Sequence, residues 1–173
     1  MTMSARIAGE VLPFVELSRV TRTLADAYLD HARTTLEAII ARPALLDHVR
    51  LERNGERYAR TLLFGDSQMS AWAILWPPGS KTSIHDHHCS CCFGVISGAL
   101  DEVRFRTVAP RQVVVESVSH RERGFVAAML PTGPNIHQMV NAGSRDCVSV
   151  HIYGFDHAMH TSSIHHEYEL APQ

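Results

Sequence analysis

The sequence predicts a mainly β domain, a sandwich or barrel, preceded by a helical segment. Three observations predict it: apolar residues at helical spacing before position 50, short apolar runs after position 55, and Pro/Gly punctuation between those runs. The chain has 173 residues, of which 45% are apolar and 20% charged. That length and composition suit one folded domain with a sizeable core.

Taken in order, Leu17, Val20, Leu24, Tyr28, Leu36, Ile39 and Ile40 recur near helical spacing within 14–40, with Ser18 and Asp30 as caps or breaks. Pro43 suits the first turn of a short helix over 44–49. Asn54-Gly55 marks a turn. Short strands are then expected at 58–64, 71–76, 91–96, 103–108, 113–118, 125–130 and 147–153. The expected layout is a helical cap over 1–50, a barrel over 56–154 and a polar, His-rich C-terminal tail over 155–173, lying across one mouth of the barrel.

The charge balance excludes some function classes. A net charge of -2 offers no basic field for a phosphate backbone, so nucleic acid is not an expected partner. The apolar runs are too short to span a membrane. The first 14 residues lack a basic region followed by an apolar one, so no export signal is read and a cytoplasmic location is expected. Two features stand out instead: 12 histidines, and Cys89, Cys91 and Cys92 clustered together. In a reducing compartment such clusters point to metal or catalytic chemistry more than to disulfides.

His85 and His87 are two apart, so on a strand both project from one face and can share a metal. His137, after a Pro/Gly turn at 131–134, is the third candidate ligand. Neutral imidazoles suit Fe, Zn, Cu or Ni. With Gly79 and Gly98 the pair resembles the first motif of the cupin superfamily, whose fold is a double-stranded β-helix or jelly-roll barrel. Gly124, Pro131, Gly133, His137 and Asn141 approximate the second motif, with one extra residue in each of two gaps. The usual Glu ligand is missing, and Cys91 or Cys92 stands in its place.

Three His with Cys for Glu resembles the cysteine dioxygenase (thiol dioxygenase) family. Tyr58-Ala-Arg60 is similar to that family's Tyr-x-Arg segment, and Ser149-Val-His151-Ile-Tyr153 to its Ser-x-His-x-Tyr strand. The resemblance implies a mononuclear non-haem Fe(II) enzyme that adds both atoms of O2 to a small thiol, giving a sulfinate. Arg60, with Tyr58 beside it, would hold the substrate carboxylate; His151, backed by Ser149, would orient the Tyr153 hydroxyl toward the ligands. Three His on one face leave about half of an Fe(II) coordination sphere open for a thiolate, an amine and dioxygen. Some family members link a Cys to the Tyr through a thioether; here Cys91 or Cys92 is in position, with Cys91 preferred because loops change length more readily than strands slip register.

Cysteine is the favoured substrate. The stretch after Tyr153 lacks the Pro-rich continuation of many cysteine dioxygenases, and the Tyr153-Gly154 ending is more similar to bacterial enzymes for other thiols, such as 3-mercaptopropionate. A non-catalytic metal- or small-ligand-binding cupin is the alternative outside enzymology, since a fold does not fix a function. A zinc site on the Cys89, Cys91, Cys92 cluster is disfavoured because it lacks a CxxC partner. His157, His160, His165 and His166 are read as a solvated tail rather than a metal site.

Overall fold

The computed structural model describes residues 12–131 and 135–172. Among the described residues, the α-helix α1 (Leu12–Ala41) and a 3-10 turn at Pro43–Leu46 precede the strands. These are β1 (Ala59–Gly65), β2 (Ser70–Trp76), β3 (Ile84–His87), β4 (Cys91–Ser97), β5 (Ala99–Ala109), β6 (Gln112–Glu122), β7 (Val126–Met129), β8 (His137–Val140), β9 (Cys147–Tyr153) and β10 (Ile164–Leu170). One sheet has the order β1-β2-β9-β4-β7. The other, β10-β3-β8-β5-β6, closes on itself because β10 pairs with both β3 and β6. Among the described residues, the mainly β barrel with an N-terminal helix is the architecture that the sequence predicts.

Period-two alternation sorts β4 between two environments. Phe93 and Val95 turn inward and pack with Ile74, Trp76, Leu100 and Met139. Cys92 and Ile96 turn outward, where Val150 and Ile152 of β9 join them under Ala32 and Leu36 of α1. Each Val, Leu, Ile, Phe or Met side chain among them contributes about 1.5–3 kcal/mol on burial. Gly94 lies beneath the helix: a Cβ there would stand 3.0 Å from Ile40 Cδ1 and 3.5 Å from Leu36 Cβ. The missing side chain lets α1 lie close against the sheet.

Several expectations need correcting. α1 runs unbroken past Ser18 and Asp30, because both are exposed and neither meets the sheet. Leu17, Val20 and Leu24 are exposed as well, so their spacing signals helix but not burial. The short helix expected at 44–49 is the 3-10 turn, with Pro43 in its first turn. The runs at 103–108 and 113–118 belong to a longer hairpin, β5 with β6, which turns through Arg111 at φ 62°. The largest correction concerns the tail. Its residues 164–170 form β10, so the barrel extends well past 154. Polar side chains on its exposed face hid the alternation. Residues 1–11, 132–134 (Gly133 among them) and 173 lie outside the described residues, and no helix among the described residues is long and apolar enough to cross a membrane.

Candidate metal centre

β3 turns His85 and His87 to the barrel interior and Asp86 to its other face. His137 opens β8 directly opposite His85 in register, a placement that sets Cβ atoms about 4.5–5.5 Å apart. All three are buried, with one donor atom from each within 4.8 Å of the others. His87 Nε2 and His137 Nε2 are 3.0 Å apart.

The outer ring nitrogens are held from behind. His85 Nδ1 lies 2.9 Å from the Ser83 carbonyl oxygen, His87 Nδ1 3.2 Å from Ser163 Oγ, and His137 Nδ1 3.5 Å from Glu102 Oε1. Such partners fix the ring so that Nε2 is presented inward. Burial, and after it the neighbouring His137, pushes His85 down to about 4 and His87 to about 2. Both are therefore neutral at pH 7, the form that ligates a metal. Among the described residues no carboxylate joins the group. Three imidazoles of this kind fit Fe, Zn, Cu or Ni and do not fit Ca or Mg.

The group borders a cavity of about 80 Å³ that also takes in Tyr58, Arg60, Cys91, His151 and Tyr153. Arg60 stands exposed at its rim, donating from Nη2 to the Thr161 carbonyl at 3.3 Å, with its guanidinium carbon 5.3 Å from the centre of the Trp72 ring. The Tyr58 ring packs 4.9 Å from that of Trp76.

Ser149, His151 and Tyr153 share one face of β9, as their spacing requires. Ser149 Oγ is 2.9 Å from His151 Nε2, and His151 Nδ1 is 3.1 Å from the Tyr153 hydroxyl. Trp76 Nε1 begins the chain by donating to Ser149 Oγ at 2.8 Å. Burial, then His137 and His85, pushes His151 down to about 3, so it is neutral. Burial raises Tyr153 well above its ordinary value, so its hydroxyl keeps its proton at pH 7.

The two adjacent cysteines separate. Cys91 is paired in register with Tyr153 and packs against it, and burial raises its thiol well above the usual range. Cys92 points to α1 and does not reach the cavity. Facing opposite ways, they cannot converge on one metal.

Glu102, Ser163 and Trp76 were missed in the sequence. A carboxylate two residues beyond Leu100 on an inward-facing strand position is a signal for Glu102. Ser163 lies in a segment with no periodic pattern, and Trp76 reads only as an apolar strand end.

The model of the cysteine dioxygenase type I family matches residues 45–161. An uncharacterized conserved protein with a double-stranded β-helix domain from Klebsiella pneumoniae is similar at TM-score 0.50 and 18% identity, covering 62% of this chain and 85% of that one. A sugar phosphate isomerase from a cupin superfamily, from Silicibacter pomeroyi, has TM-score 0.49 and 21% identity, covering 63% and 73%.

Proposed function

The chain belongs to the cysteine dioxygenase type I family, and on that premise we propose that it oxidises a small carboxylate-bearing thiol, cysteine foremost, to its sulfinate with O2. His85, His87 and His137 would hold Fe(II). The observation that supports this most is the convergence of the three-His group, Arg60 and the Tyr153 hydroxyl on one cavity. A barrel that merely stores a metal needs neither of the last two.

Fe(II) bound there would activate the thiol and supply the redox capacity to reduce dioxygen. The balance is one thiol and one O2 to one sulfinic acid, with no other reductant. Arg60 binds the substrate carboxylate through a charge-assisted, forked contact, exchanging the Thr161 carbonyl for it. Trp76 occupies one lone pair of Ser149 Oγ and leaves its hydroxyl hydrogen for His151, and the relay we propose runs in that direction. With the Trp76 N–H on Ser149 Oγ, the Ser149 hydroxyl donates to His151 Nε2, and His151 Nδ1–H donates to the Tyr153 oxygen. The Tyr153 proton is then free to point at the bound substrate. Cys91, opposite Tyr153, is the thiol for a thioether to that ring, made with loss of two hydrogens to O2. A cytoplasmic setting suits this chemistry, because it keeps Fe(II) and the four free thiols reduced.

The test is oxygen uptake by anaerobically Fe(II)-loaded protein over cysteine, 3-mercaptopropionate and cysteamine. Arg60→Ala should lower kcat/KM for the two carboxylate-bearing thiols by about 1.5–3 kcal/mol and leave cysteamine little changed. Equal losses on all three would remove Arg60 from carboxylate binding.

A further inference from the structure

We propose that Asp86, His165 and His166 form a second, solvent-open site for a divalent transition metal, on the face of β3 that turns away from the three-His group. The register of β10 creates it. Ile164 pairs with His87 and Glu167 with His85, so β10 takes three steps where β3 takes two. The surplus residue is a bulge, in which two residues oppose one. A regular strand would send His165 and His166 to opposite faces. The bulge instead gathers both near Asp86, with one donor atom from each of the three within 4.8 Å of the others. The two rings stand 3.7 Å apart between centroids, 35° from parallel.

The carboxylate is already oriented. The His166 backbone N–H donates to Asp86 Oδ1 at 2.7 Å, and the Tyr168 hydroxyl donates to Oδ2 at 2.8 Å. His166 Nδ1 lies 3.3 Å from that same Oδ2. Contacts of the first two kinds are those that steady a ligating carboxylate. The His165 side chain is exposed and that of His166 is 34% exposed, so an ion can enter from solvent. Two imidazoles and one carboxylate favour zinc, cobalt, nickel or copper, whereas calcium and magnesium require more oxygen ligands. A metal there ties β10 to β3. It would steady the strand that follows directly on Ser163, the partner of His87 Nδ1.

The experiment titrates Zn2+ into metal-free protein against a competing chromophoric chelator, beside the His165→Ala and His85→Ala variants. Each variant should bind one equivalent fewer than the unsubstituted protein. His165→Ala should lose the weaker class of site, by more than the roughly 10–100-fold that loss of an outer partner costs, and His85→Ala the tighter. His166→Gln, which keeps a polar side chain on β10, should lose the same equivalent as His165→Ala and stands in for it if that variant fails to fold. Zinc uptake by His165→Ala and His166→Gln indistinguishable from that of the unsubstituted protein overturns the site. A single equivalent in the unsubstituted protein overturns it equally.

Discussion

Glu102 has its side chain fully buried, yet its carboxylate meets three basic groups. Oε2 accepts from Arg121 Nε at 3.0 Å and Nη2 at 2.7 Å, while Oε1 accepts from Arg104 at 3.2 Å and faces His137 Nδ1 at 3.5 Å. Burial opposes its charge, but His137, Arg121 and Arg104 outweigh burial and hold the carboxyl down to about 2. A lowered folded value means that Glu102 stabilises the fold at neutral pH. That contribution is lost as pH falls from the ordinary carboxyl range through about 2. Glu102→Gln keeps the size and removes the charge. Metal affinity, measured by chelator competition, should fall about 10–100-fold; unchanged affinity would mean that His137 is positioned without it. Cys91 makes a separate prediction. After turnover, mass spectrometry should find a Cys91–Tyr153 peptide two hydrogens lighter than its parts, present in Cys92→Ser and absent in Cys91→Ser. Only unlinked Tyr153 peptide after many turnovers would remove the thioether and leave the metal centre standing. Residues of this kind differ in legibility. His85, His87 and His151 could be read because alternation puts each on one face with its neighbour two residues away and the family motifs mark them. The choice between Cys91 and Cys92 could not, because it depends on which residue of β4 pairs with Tyr153, and that register is set by β9.

At the scale of elements, α1 acts through its C-terminal half. Leu36 is fully buried against Cys92, Ile96, Val150 and Ile152, on the side of the sheet opposite the cavity. Leu36→Ala should cost about 2–5 kcal/mol of stability, seen as a lower Tm, while metal stoichiometry at the three-His group stays unchanged. Loss of metal with the helix packing would show that the sheet transmits the damage. The helix and most long strands were legible because apolar periodicity marks whatever is half-buried. β10 was not. Its sequence, Ile164 to Leu170, contains three charged or aromatic polar residues and two adjacent histidines, so burial alternates along it without an apolar alternation to read. β3 and β8 are only four residues long, too short for a periodic signal, and were legible only where their histidines marked them.

For the whole molecule, the barrel brings together residues from β1, β3, β4, β8 and β9 that the sequence spreads from Tyr58 to Tyr153. What the sequence could not display is the support behind them: Ser163 from the segment before β10, Glu102 from β5 and Trp76 from the end of β2. Their roles depend on three-dimensional proximity, not on spacing. The proposed function of this assembly is transfer of dioxygen to sulfur. The direct measurement is the isotopic composition of product formed by Fe(II)-loaded protein from cysteine under 18O2 in unlabelled water. A dioxygenase yields a sulfinate carrying both labelled atoms, formed one per O2 consumed. A disulfide as the oxidised product, or a sulfinate with oxygen drawn from water, would contradict it.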